Sequence, residues 1–110
     1  MLPIKHRLKK KKDFEIIFKQ GKNIKNKLFF LKFLSTQNNY SRIGIIVSKK
    51  IAKQAVKRNK IKRQLRAATK RAIETFSSKV DIIIIALPPI KKARYQEIEQ
   101  SISTAFKNII

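Results

Sequence analysis

Ile43-Gly44-Ile45-Ile46-Val47-Ser48-Lys49-Lys50, continued by residues 51–76, IAKQAVKRNKIKRQLRAATKRAIETF, is the stretch on which the reading of this chain turns. Its first five residues are β-branched or small, carry no Pro, and read as a buried strand. The following segment changes period. Ile61, Leu65, Ala68, Ala72 and Phe76 step by three and four, so they share one face of a helix. Asn59, Lys62, Arg63, Arg66 and Lys70 also step by threes and fours, but on the opposite side, over an arc of about 100° at roughly 100° per residue. One helix thus turns apolar side chains to a core and a cationic stripe outward. Like charges this close repel, so the stripe costs folding stability until a polyanion neutralises it.

Composition frames that reading. The chain has 110 residues, with Lys+Arg 28 against Asp+Glu 6 and a formal net charge of +22. Its 43% hydrophobic content suffices for one modest core, so this is a folded domain and not a basic tail. Such a charge points to nucleic acid or an anionic membrane surface. The stripe's placement on one helix face argues against a mere Lys-rich compositional bias. The absence of Cys excludes disulfides and thiolate metal sites and fits a reducing, cytoplasmic setting.

Residues 1–12, MLPIKHRLKKKK, have no apolar run resembling a signal peptide and read as a flexible or lightly anchored basic arm, in which Lys9 to Lys12 can track phosphates. His6, the single histidine, has no Cys or carboxylate neighbour and reads as a surface residue. Residues 13–20 fit a short helix with Asp13 and Glu15 in its first turn and Gly21 at the C′ position. Phe14, Ile17 and Phe18 share a face, either as core or as rings lining a groove for unpaired bases. Asn23-Ile24-Lys25 can form a short edge strand. Residues 28–34, LFFLKFL, read as a strand with Lys32 facing solvent or a ligand groove. The polar loop TQNNYS suggests an antiparallel hairpin between this strand and 43–47. Residues 77–79 break the long helix, and 80–87, VDIIIIAL, form a fully buried strand ended by Pro88-Pro89. Residues 93–109 are helical, with Ile98, Ile102, Ala105, Phe106 and Ile109 on one face. The strand–helix–strand unit implies a parallel pair with a helical crossover, and the whole chain reads as a single domain, 1–110. No segment approaches the roughly 20 apolar residues of a membrane span.

The chemistry of an autonomous enzyme is missing. The carboxylate pairs at 13/15 and 97/99 lie at i, i+2 on helices and point apart, Gly21 and Gly44 are isolated, and Ser48 lacks a His partner. No catalytic residue and no protein metal ligand is assigned. Binding chemistry remains. Arg58, Lys60, Lys62, Arg63 and Arg66 supply phosphate contacts, the Arg groups able to take two oxygens at once. Asn59 is either a solvated helix residue or sets geometry through a backbone or water contact. Neutralising six phosphates makes binding fall about 10³-fold between roughly 50 and 200 mM salt.

Ala55-Val56-Lys57-Arg58-Asn59-Lys60-Ile61-Lys62-Arg63, preceded by Val47-Ser48-Lys49-Lys50, resembles the signature of the bacterial ribonuclease P protein subunit, Arg-Asn-Arg within A-V-x-R-N-R-I-K-R after S-K-K at a strand's end. The likeness extends over nearly the whole chain. It takes in the L-K-K…D-F-x-x-x-F-x-x-G pattern, matched by Leu8 to Gly21, and the late V-D-I-I-I-I-A strand. The resemblance implies an α+β two-layer sandwich of order α-β-β-β-α-β-α. Its four-stranded mixed sheet would have a left-handed βαβ crossover, like the second domain of ribosomal protein S5. It also implies a monomeric chain that joins a catalytic RNA whose Mg²⁺-dependent chemistry removes 5′ leaders from precursor tRNA. On that resemblance Arg58, Asn59, Lys60, Lys62, Arg63, Arg66 and the adjoining Lys70 contact the catalytic RNA. Phe14, Phe18, Lys32, Ser48 and Lys49 line the leader cleft. Two positions depart from the family pattern. Lys60 replaces the second signature Arg, and Lys32 stands where an aromatic is often found, which favours a phosphate contact there. A ribosomal or other general RNA-binding protein is the alternative, followed by a helical DNA binder. A membrane-active peptide fits poorly, because the apolar faces are needed for a core.

Overall fold

The strand Val80–Ala86 carries isoleucines on both faces, and the chain folds so that six of its seven residues are buried. The computed structural model describes residues 7, 8, 10–36, 40–75 and 79–109. In chain order these form α1 (Lys11–Gln20), β1 (Lys22–Lys25), β2 (Phe29–Ser35), β3 (Arg42–Ile46), α2 (Ala55–Thr75), β4 (Val80–Ala86), a 3₁₀ turn (Pro88–Lys92) and α3 (Tyr95–Lys107). The sheet order is β1-β2-β4-β3. β1 pairs with β2 and β2 with β4 in antiparallel fashion, whereas β3 and β4 are parallel and joined by α2. This is the α+β arrangement with the expected order α-β-β-β-α-β-α.

The expected hairpin between the second and third strands does not form. β4 lies between them, paired from Phe29↔Ala86 to Ser35↔Val80 on one side and from Arg42↔Asp81 to Ile46↔Ile85 on the other. A strand with isoleucines on both faces loses most by standing at an edge, so it displaces the local pairing. The hairpin is β1–β2 instead. Its turn is fixed by Asn26, whose Oδ1 accepts the N–H groups of Leu28 and Phe29, both at 2.9 Å.

Strand alternation divides the core in two. Val80, Ile82, Ile84 and Ala86 face α2 and α3 and join Phe29, Leu31, Ile43, Ile61, Leu65, Ala68, Ile98, Ile102 and Phe106 in the main cluster. Ile83 faces the other way and forms a small cluster with Leu8 and Ile17 under α1. On α2 the predicted apolar face is realised: Ile61, Leu65 and Ala68 are buried and Ala72 half-buried, while Phe76 lies outside the described residues. Thr69 is buried as well, its hydroxyl donating to the carbonyl of Leu65 one turn back.

Three local expectations are corrected. The basic arm does not extend to residue 12. Leu8 is buried and its N–H donates to the carbonyl of Ile43 (2.8 Å), Arg7 bridges Ile43, and α1 already begins at Lys11. Leu8 supplies apolar surface that the α1 side of the sheet needs; residues 1–6, with His6, and Lys9 lie outside the described residues. Gly21 follows α1 as expected, but with φ −71° it is not left-handed. Its lack of a side chain matters for space, since a Cβ would stand 2.5 Å from the carbonyl oxygen of Ile17. Finally, the last helix starts at Tyr95, and Pro88-Pro89 open a 3₁₀ turn before it, in keeping with proline's fixed φ at the first helical positions.

Candidate nucleic-acid interface

α2 carries its polar residues where the period placed them. Asn59, Lys60 and Arg63 are exposed and Lys62, Arg66 and Lys70 half-exposed. Among the described residues the ion pairs are Arg42–Asp13, Arg42–Asp81 and Arg71–Glu99, so no carboxylate neutralises the stripe. Asn59, Arg63 and Arg66 line a shallow concavity of about 330 Å³, floored by the small side chain of Ala67. The structure thus brings six of the seven predicted contacts to one outward surface, with Lys60 on its flank. Arg58 stands apart. Its side chain is half-buried, and Nη1 donates to the carbonyl oxygens of Ala52 (3.0 Å) and Lys53 (2.7 Å), tying the 49–54 loop to the first turn of α2.

The sheet face away from α2 and α3 is only partly covered. Register places Lys25, Phe30, Ile85 and Ile46 in one row across the four strands, and Asn23, Lys32, Ile83 and Gly44 in the next. α1 lies over the second row. Ile17 is 1% exposed there, and Phe14 rests on Gly44, where a Cβ would come within 2.6 Å of the ring's Cζ. Phe30, Ile46 and Ile85 in the first row are only half-buried, an apolar floor beside the helix. Phe18 stands at the rim, 39% exposed. Lys32 does face this groove, as expected, and its ammonium is occupied: Nζ donates to the carbonyl oxygen of Phe18 (2.9 Å) and sits 5.8 Å from the centre of its ring. Ser48 and Lys49 are exposed and follow Ile46 by two and three residues, beyond the end of the floor row and away from Phe14 and Phe18. The floor residues went unread in the sequence. Their signal was the strand alternation, which becomes usable only once the face carrying two helices is known.

Arg42 is the other residue that sequence reasoning missed. Nε and Nη2 donate to the two carboxylate oxygens of Asp81 (3.0 and 2.7 Å), and Nη1 donates to Asp13 on α1 (3.2 Å). The hydrogen bond to Asp81, opposed by burial, holds the guanidinium pKa above its usual value. The cluster clamps the start of α1 to β3 and β4. It also engages two of the six Asp and Glu side chains, Asp13 on α1 and Asp81 on β4. Among the described residues no group of three His, Cys, Asp or Glu side chains could hold a metal ion, and no helix is long and apolar enough to cross a membrane.

Comparison with known proteins bears on this geometry. The family model described as Ribonuclease P matches residues 2–110. The ribonuclease P protein component of Pseudanabaena sp. (strain PCC 6903) is 36% identical over 111 residues, covering 100% of this chain and 92% of that protein. The same component of Bacillus cereus (strain 03BB102) is 38% identical, covering 94% of this chain and 90% of the relative. Among solved structures, a Staphylococcus aureus RNase P protein superposes with a TM-score of 0.84 at 36% identity over 94% of each chain. The Thermotoga maritima RNase P protein gives 0.85 at 30% identity, over 94% of this chain and 97% of that one. A match of this extent, on a fold with the same element order and a cationic long helix, places the chain in the ribonuclease P protein family.

Proposed function

We propose that this chain is the protein component of ribonuclease P. It binds the catalytic RNA through α2 and the 5′ leader of precursor tRNA through the groove beside α1, and so assists endonucleolytic release of the leader. The observation that carries the reading is the stripe Asn59, Lys62, Arg63, Arg66 and Lys70, to which no carboxylate among the described residues is paired, on a helix whose other face is locked into the core. Phosphates are the groups that such a surface neutralises, and Arg63 and Arg66 can each take two phosphate oxygens. A folded helix presents these groups with little further loss of entropy on binding.

In the groove, unstacked leader bases meet Phe18 and the floor of Phe30, Ile46 and Ile85. The ammonium of Lys32 lies over one face of the Phe18 ring, so a base stacks on the other, and remaining donors of the same ammonium reach a leader phosphate. Ser48 and Lys49 take the strand where it leaves the floor row. Among the described residues neither surface carries a Cys or a His to serve as nucleophile or general base. Hydrolysis would then fall to the RNA, and Mg²⁺ bound with that RNA would supply charge neutralisation for it. The chain's contribution is to attach, align and neutralise. A monomer working in the cytoplasm suits this role. A general RNA-binding protein is the less favoured reading, because the comparisons name one component throughout.

The test adds the purified chain to a catalytic ribonuclease P RNA at low Mg²⁺ and follows leader cleavage of precursor tRNA. Cleavage is expected to be rescued. An absence of stimulation, or cleavage by the polypeptide without RNA, would reject the assignment.

A further inference from the structure

The N-terminal end of α2 bears a second cationic surface outside the stripe. Lys49, Lys50, Lys53, Lys57 and Lys91 line a concavity of about 350 Å³ there. All five are exposed, and none belongs to the ion pairs among the described residues. Three separate segments build it: the 49–54 loop after β3, the first turn of α2 and the 3₁₀ turn after β4. The first turn of α2 holds no acidic residue, and Arg58 already engages the carbonyls of Ala52 and Lys53. Ile51, Ala52 and Gln54 complete the lining, and no carboxylate is among the residues that form it. Five ammonium groups around one hollow repel one another until a polyanion enters.

The position of this cavity identifies its occupant. At 100° per residue, Lys57 lies about 170° around α2 from the midline of the stripe. Exposed Lys60 falls between Arg63 and Lys57, so the basic surface continues around the helix end. Val56 lies in the same sector and is 79% exposed. A large apolar side chain ringed by cations suits a partner that surrounds the helix end, not one that touches a single side. We propose that Lys50, Lys53, Lys57 and Lys91 of this cavity form a second docking site for the phosphate backbone of the catalytic RNA, which grips the N-terminal end of α2 from two sides, while Lys49 stays with the leader. The inference rests on the reading of the stripe as the catalytic-RNA face.

The experiment measures affinity of the full chain for catalytic ribonuclease P RNA across a salt series, with two variants. One is K50Q/K53Q/K91Q and the other, in the stripe, is R63Q/R66Q. The lysine variant should lose about tenfold or more in affinity near 150 mM salt, and its salt slope should fall by about 2 to 3. Holoenzyme assembled with that variant at saturating protein should keep its preference for precursor over mature tRNA. K50R/K53R/K91R should restore the affinity. Lys91→Gln alone, on a turn outside α2, should lower the slope by about one. Unchanged affinity and slope for the lysine variants, beside a loss for R63Q/R66Q, would overturn the second site and leave the stripe reading intact. A loss confined to precursor tRNA would assign the lysines to the substrate and overturn it too. No effect from either variant would remove the stripe reading, and the second site with it.

Discussion

The two faces of one sheet are built from the same strands and treated in opposite ways. Toward α2 and α3, β4 presents Val80, Ile82, Ile84 and Ala86 to a continuous core that includes Leu65 and Ile102, each fully buried. Toward α1, the same strand presents Asp81, Ile83 and Ile85, of which Ile83 is sealed, Asp81 is held by Arg42 and Ile85 is left half-open. The difference lies both in how many helices cover each face and in what the strands present there, since Lys25, Lys32, Arg42 and Asp81 all stand on the α1 side. Stability is concentrated on the face with two helices. On the face with one short helix, an apolar floor is left uncovered and is available to a ligand.

The comparison breaks most directly by deleting matched apolar groups from each face. Leu65→Ala should cost about 2–5 kcal/mol in urea unfolding, since its site is closed on all sides. Ile85→Ala, on the half-covered face, should cost clearly less, because solvent already reaches the site. Equal losses would mean that the two faces are equally packed. A smaller effect sharpens the functional side of the contrast. Phe18→Ala should leave the unfolding midpoint nearly unchanged and weaken holoenzyme binding of precursor tRNA by about 1–3 kcal/mol per lost stacked base, with mature tRNA unaffected. Equal weakening for both substrates would remove the groove from leader binding. The smallest effect is on pH. Burial, with the nearby charge of Glu99, raises the pKa of Tyr95 above its ordinary value, so the folded chain holds the phenolic proton more tightly than the unfolded one. That contribution is complete below about pH 10 and is lost as pH rises through the folded value. Tyr95→Phe should therefore flatten the alkaline decline of stability measured between about pH 9 and 11.

What could be read from the sequence follows from how local the controlling interaction is. The faces of α2 were legible, because the 3.6-residue period alone sets which residues share a side. The strand positions were legible too, from β-branched and aromatic runs. The pairing of β3 was not. A loop of a few residues favours a hairpin, and only the demand of β4 for cover on both faces overrides it. The Arg42–Asp81 pair, 39 residues apart, has no sequence-local signal. For the candidate site, the stripe was readable as a surface, but the engagement of Arg58 with its own loop depends on how residues 52–53 fold back. Lys32 was placed on the correct face, while its bond to the Phe18 carbonyl depends on where α1 crosses β2.

Gly44 looked, in the sequence, like a small interruption in an apolar strand. In the fold a single hydrogen at that position lets the ring of Phe14 come down against the sheet. A methyl group there would have to push the ring away by about 1 Å to regain ordinary carbon–carbon contact. The aperture between α1 and the strands is therefore gauged by an atom that is missing, and any residue other than glycine would act as a shim under the helix.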